Sequence, residues 1–206
     1  MTGGSGGRNS ESWKCKQLEA FHNLVQRLVK GFERAKMEYA FTGALAASFY
    51  GLPRTTTDVD VVVQITDKDL KSRLELALRE AGIVVGEKEI GRALESGYRI
   101  ARFRDGKTAY TVDIMLSDGK LLKRAGTVAG VNTYFQAPEG LILAKLRMIK
   151  ATVPRERALK DVEDVKAILK FTRVDIQAIK KKSKTDNTSS VFEAIAGSGE
   201  HAGGKT

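Results

Sequence analysis

At 206 residues, with 42% hydrophobic and 29% charged residues, the chain has the composition of a soluble globular protein with room for one sizeable core. No run of about 18 apolar residues occurs, which argues against a membrane-spanning helix, and a single cysteine, Cys15, excludes an internal disulfide. With only His22 and His201 beside it, a Cys/His metal site is excluded too, and the expected setting is a reducing cytoplasm.

The net charge of +10 attracts polyanions such as nucleic acid or nucleotides. No run of Lys and Arg interleaves with aromatics as single-strand binding surfaces require, so the charge permits such partners without identifying one.

In chain order, residues 1–10 lack an apolar signal segment and read as a flexible leader. From Glu11 to Met37, Leu18, Phe21, Leu24, Val25, Leu28 and Phe32 recur at helical spacing and predict a long amphipathic helix. A short apolar segment, Tyr39 to Thr42, runs into Gly43, and the alanine-rich stretch Ala44 to Tyr50 reads as a short helix stopped at Gly51-Leu52-Pro53. Asp58 to Ile65 is a valine-rich strand. Thr66-Asp67-Lys68-Asp69 resembles a cap that opens a helix to Ala81, with Gly82 as its stop.

Two β-patterned runs follow, Tyr98 to Arg104 and Thr108 to Leu116, with the hairpin signal Asp105-Gly106 between them, and then one further strand over Thr127 to Phe135. Pro138-Glu139 opens a helix with the stripe Leu141, Ile142, Leu143, Leu146 and Ile149. A second helix is expected over Glu156 to Leu169 and a shorter third after Val174.

The expected fold is α+β, a small mixed sheet with helices packed on one side and C-terminal helices added. The expected organisation is a core over 11–136, a helical segment over 137–181 that completes the site, and a disordered tail over 182–206.

The chemistry concentrates at GLPRTTTDVDVVV, residues 51–63. Side chains alternate along a strand, so Asp58 and Asp60 share a face, and like charges on one face repel. Asp113, in TAYTVDIML, lies opposite the apolar set Tyr110, Val112, Ile114 and Leu116. If the two strands are neighbours, three carboxylates converge. With no Cys or His nearby, that is a hard-oxygen set suited to Mg²⁺ or Mn²⁺. Two ions about 4 Å apart would offset the repulsion and support in-line phosphoryl chemistry.

A D-x-D pair alone is more often a solvated surface pair; its surroundings set this one apart. Gly43-Ala44 makes a strand-to-helix turn whose backbone N–H groups can hold a phosphate. Arg54, Thr55 and Thr57 bring a guanidinium and hydroxyls just ahead of Asp58.

Together, FTGALAASFYGLPRTTTDVDVVV and YTVDIML resemble the nucleotidyltransferase superfamily typified by DNA polymerase beta. The finer pattern G-x-x-A-x-x-x-x-G-x-x-R-x-T-x-D-h-D, followed by APEGLILAKLRMIK and RALKDVEDVKAIL, resembles its minimal branch that includes AbiEii-type toxins. The likeness spans about residues 38–170.

The resemblance implies two Mg²⁺ or Mn²⁺ ions on Asp58, Asp60 and Asp113. It implies a nucleoside triphosphate held at Gly43, Ala44, Arg54, Thr55 and Thr57, and Lys145 acting on the triphosphate. Asp161, with Asp164 one turn on, would position Lys145 or the nucleotide. The family pattern has Gly-Gly or Gly-Ser where this chain has Gly43-Ala44, so a hydroxyl contact is missing while the backbone contact remains.

The implied activity is transfer of a nucleoside monophosphate to a hydroxyl acceptor with release of pyrophosphate. RNA, such as a tRNA end, is the favoured acceptor, and a small antibiotic-like molecule or a protein hydroxyl competes with it. A toxin–antitoxin setting would add a cognate protein partner. The alternatives are a non-catalytic nucleotide-binding module on the same fold and a basic nucleic-acid-binding protein with an acidic surface trio.

Overall fold

The computed structural model describes residues 7–51, 53–86, 88–97 and 99–200. Its elements in chain order are α1 (Gly7–Arg34), β1 (Tyr39–Phe41), α2 (Gly43–Tyr50), β2 (Asp58–Gln64), α3 (Leu70–Glu80), β3 (Ile83–Val84), α4 (Glu89–Glu95), β4 (Ile100–Asp105) and β5 (Thr111–Ser117). Then come β6 (Lys123–Val128), β7 (Val131–Gln136), α5 (Pro138–Ala151), a short 3₁₀ turn at Arg155–Ala158, α6 (Leu159–Phe171), α7 (Ile176–Thr185) and α8 (Ser189–Glu200). Seven strands form one mixed sheet in the order β3-β4-β5-β2-β1-β7-β6.

The chain divides into two compact units that interleave along the sequence. One takes in the chain up to Ala40, Thr57–Leu121 and Ala125–Tyr134; the other takes in Phe41–Thr56, Leu122–Arg124 and the chain from Phe135 on. The expected boundary at 136/137 is therefore corrected. The segment holding α2 leaves the first stretch of the chain and packs with the C-terminal helices.

The first unit carries most of the sheet. Strand β2 runs parallel to β5, and β4 runs antiparallel to both β3 and β5. On β2 and β5 the alternate residues Val59, Val61, Val63, Val112 and Ile114 are fully buried. The buried stripes of α1 (Leu24, Val25, Leu28, Phe32) and α3 (Leu70, Leu74, Ala77, Leu78), two helices packed on each other, join them in the core of this unit. Gly31 lets α1 come close to α3, since a Cβ there would lie 2.5 Å from the Ala77 carbonyl oxygen. Arg27 ties the layers together by donating to Asp105 at 2.8 Å and to the Ala81 carbonyl.

Three local readings are corrected in this unit. Helix α1 begins at Gly7, inside the expected leader, while residues 1–6 lie outside the described residues. The single strand expected over Thr127 to Phe135 is two, β6 and β7, turned by Ala129 and Gly130 at φ 51° and 74°. Two residues in the left-handed region make the tight hairpin turn that a continuous β-pattern hides. At α3 the Asp67 carboxylate accepts from the Asp69 N–H at 3.0 Å and from Arg73 at 2.6 Å, while Asp69 itself makes no side-chain cap.

The second unit is a helical cluster. Helix α2 packs on α5 and α6, and a Cβ at Gly51 would meet the Ala167 Cβ at 2.9 Å. Phe41 pairs with Phe135 across parallel strands, and Phe49 stacks on Phe135 at 4.1 Å.

The disordered tail expected from 182 onward is overturned as far as residue 200. Helix α8 buries Phe192 and Ile195, and Asp175 caps α7 by accepting from Ala178 N–H at 2.9 Å. The polar composition of this stretch conceals two apolar anchors, enough to seat one short helix on α5, α6 and α7. The last six residues, 201–206, lie outside the described residues.

Candidate active site

In the first unit the sheet register brings the three predicted aspartates onto one face. Asp60 stands beside Asp113, and Asp58 stands beside Thr111, across the parallel pair β2–β5. Neighbouring strands lie about 4.8 Å apart and two residues along a strand span about 6.6 Å, so the three carboxylates occupy a patch the size of one small ligand.

Strand β4 completes two rows, Arg102–Asp113–Asp60 and Arg104–Thr111–Asp58. Backbone hydrogen bonds link Asp105 with Tyr110 and Arg99 with Leu116. By the alternation of an antiparallel ladder, Arg102 and Asp113 then form a non-hydrogen-bonded pair, where facing side chains lie closest.

The cation paired with Asp113 is Arg102. Its Nε donates to Asp113 Oδ1 at 2.7 Å and its Nη2 to Asp113 Oδ2 at 2.6 Å, a two-pronged fork. Asp113 is buried, whereas the Arg102 side chain is 67% exposed. The bonds to Asp113 hold the guanidinium protonated far above its ordinary range, with its charge and those of Asp58 and Asp60 adding to the effect. Asp58 accepts from Thr111 Oγ1 and, at 3.4 Å, from Thr57 Oγ1. Among the described residues no three acidic, His or Cys groups are gathered closely enough to hold a metal ion as they stand. The donor chemistry suits Mg²⁺, but the Asp113 carboxylate is turned to its arginine.

In the second unit the predicted cations and acids form a network. Lys145, on α5, is 5% exposed, and its ammonium donates to Asp161 at 2.8 Å and meets Asp164 at 2.7 Å, both on α6. Arg54 Nη2 donates to Asp164 at 2.9 Å, so two cations face two anions. The spacing of three between Asp161 and Asp164 puts both on one side of α6.

Arg54 Nε is buried with no partner among the described residues, and its backbone N–H donates to Ser48 Oγ at 3.1 Å. A charged donor of this kind is costly unless a water or ligand oxygen satisfies it. Helix α2 opens at Gly43, whose φ of 57° suits glycine. Thr42 makes no side-chain cap there because its hydroxyl donates to Gln136 at 2.5 Å, which leaves the first-turn N–H groups uncapped. Ala44 is buried and Thr55 is exposed.

Arg102 was missed from the sequence. Its signal lies in IARFRD, where Arg102 and Arg104 alternate on one face. A two-residue turn at Asp105-Gly106 would have paired Arg104 with Lys107 and so Asp113 with Tyr98. The Asp105 N–H instead donates to the Tyr110 carbonyl across a four-residue loop, and that shift of four brings Arg102 opposite Asp113.

Solved structures give the architecture a context. The chain is similar to the antibiotic-resistance factor ANT(2″)-Ia in solution, with a TM-score of 0.59 and 14% identity over 89% of this chain and 97% of that one. It is also similar to ANT(2″)-Ia in complex with adenylyl-2″-tobramycin (TM-score 0.55, 12% identity, 86% and 98% covered). A third likeness is to an antigenic nucleotidyltransferase-like protein from Paracoccidioides brasiliensis (0.55, 13%, 88% and 93%). The fold is that of the nucleotidyltransferases. No known family's sequence model matches the chain, and no curated protein matches it in sequence. This nucleotidyltransferase fold is thus reached by topology rather than by sequence identity. No helix among the described residues is long and apolar enough to cross a membrane.

Proposed function

We propose that the protein is a metal-dependent nucleotidyltransferase that moves a nucleoside monophosphate from a nucleoside triphosphate to a hydroxyl acceptor and releases pyrophosphate. The observation that carries this reading is the register of Asp60 beside Asp113, with Asp58 on the same face. Half-buried Asp58 and Asp60 beside buried Asp113 are like charges on neighbouring strands, and a divalent cation would offset their repulsion.

Two Mg²⁺ or Mn²⁺ ions would supply charge neutralisation at the transferring phosphoryl group and a more acidic acceptor hydroxyl. Asp58 and Asp60 would hold both ions. Asp113 would hold the ion next to the acceptor and take its proton, once released from Arg102. For the triphosphate, the uncapped N–H groups after Gly43 and the free Nε–H of Arg54 are suitable donors. Lys145 would offset charge on departing pyrophosphate, with Asp161 and Asp164 fixing its ammonium. Thr55 and Thr57 would add hydroxyl contacts.

The net charge of +10 favours an RNA end as acceptor, because such a body attracts a polyanion and repels a polycationic aminoglycoside. The likeness to ANT(2″)-Ia favours the second reading, an antibiotic-type acceptor. A cytoplasmic toxin of the AbiEii-like kind with a cognate protein partner is the biological setting proposed with the RNA reading.

Incubation with each α-labelled triphosphate, Mg²⁺ or Mn²⁺, and RNA, an aminoglycoside or protein separates these acceptors. Label in RNA supports the first reading and label in the small molecule the second. No label in any acceptor, with pyrophosphate absent, removes the enzyme reading.

A further inference from the structure

Arg102 is the residue whose placement the proposed chemistry leaves unexplained. A guanidinium sits in bidentate contact with the very carboxylate, Asp113, that the metal reading needs, and in one row with Asp60. Both oxygens of Asp113 are engaged, so an ion cannot take either without weakening the fork. The two partners differ sharply in freedom. Asp113 is buried on a central strand, and the Arg102 side chain is 67% exposed on β4, with a long stem that can swing into water.

Here the anion is held on a central strand and the cation reaches it from the solvent side. The neighbouring row repeats the chemistry in weaker form, with exposed Arg104 opposite Thr111 and Asp58 bound by the Thr111 hydroxyl.

We infer that Arg102 is a displaceable counter-ion of the carboxylate row. It neutralises and positions Asp113 while no divalent cation is bound, and its departure accompanies metal loading, so that it sets the affinity of the row for the ion. Replacing a monovalent cation by a divalent one at Asp113 adds positive charge beside the carboxylate row, which drives the exchange once metal is present. The inference rests on the metal-dependent reading above.

The test is Mn²⁺ binding to the full chain by titration calorimetry and paramagnetic resonance, without nucleotide, for the wild type, Arg102→Gln and Arg102→Lys. Arg102→Gln is expected to bind Mn²⁺ about tenfold or more tightly, because the competing cation is gone, and to melt lower than wild type only in the absence of metal. Arg102→Lys, which keeps the charge but loses the fork, is expected to fall between them. Equal or weaker Mn²⁺ binding by Arg102→Gln, with wild-type binding intact, overturns the counter-ion role and leaves the enzyme reading standing. Absence of Mn²⁺ binding in all three proteins overturns both. Should Arg102→Gln fold poorly, Arg102→Lys decides alone, since wild-type affinity in a folded Lys variant would overturn the proposal.

Discussion

Asp60→Asn removes one negative charge from the carboxylate row while keeping the shape of the side chain. If ions on this row stabilise the transferring phosphoryl group by several kcal/mol, the loss in kcat/KM should be about 10²–10³-fold. The melting temperature should hold or rise, because Asp60 stands beside another carboxylate. Rate and melting curve measured on one preparation check both halves. Lys145 behaves oppositely. Lys145→Met takes the ammonium away from Asp161 and leaves buried Asp164 with Arg54, and should cost about 3 kcal/mol in urea unfolding. Adding Asp164→Asn should return part of that loss, since the uncompensated charge goes with it.

Single elements carry more of the fold than their composition suggests. Helix α8 lies in a Ser- and Gly-rich stretch but inserts Phe192, 1% exposed, against its neighbours. Phe192→Ala should therefore destabilise the second unit by about 3–5 kcal/mol, visible as faster amide exchange in α5, α6 and α7. An unchanged exchange pattern would mean that α8 contributes nothing to packing. In the first unit the contact of α1 with α3 depends on a missing side chain. Gly31→Val places a Cβ against the Ala77 carbonyl oxygen, 2.5 Å away, and should cost about 1–3 kcal/mol by equilibrium denaturation.

For the whole molecule, alkaline pH is the informative stress. Burial pushes the Tyr50 phenol up to about 12, a shift assisted by Glu139 and opposed by Arg124, and burial raises Tyr39 as well. Both folded-state values lie above the ordinary 10, so the neutral phenols contribute stability that is complete below pH 10. That stability should decline as pH rises through about 12. Unfolding followed by circular dichroism, alongside phenolate absorbance, should show late tyrosine ionisation coinciding with loss of structure. Tyr50→Phe should flatten the alkaline decline and sacrifice the 2.9 Å hydrogen bond to the Gln136 carbonyl at neutral pH.

Local periodicity was enough to locate most elements, because a helix or strand is a repeating relation between near neighbours in sequence. It placed α2, β2, α3, β5, α5 and α6 within a few residues, and the alternation of DVDVVV put Asp58 and Asp60 on one face before any contact was known. The clustering of Lys145 with Asp161 and Asp164 drew on the resemblance as well as helical spacing. Long-range pairing was not legible. The β4–β5 register depends on a four-residue loop, and a shift of four residues decides whether Tyr98 or Arg102 faces Asp113. The allocation of α2 to the C-terminal unit, and the seating of α8 on two apolar side chains, depend on distant surfaces that no local pattern encodes. Sequence alone determined which residues could carry the chemistry, since charge and strand period are local. Tertiary structure alone decided which cation answers the aspartates, because that is settled by the strand that lands beside them.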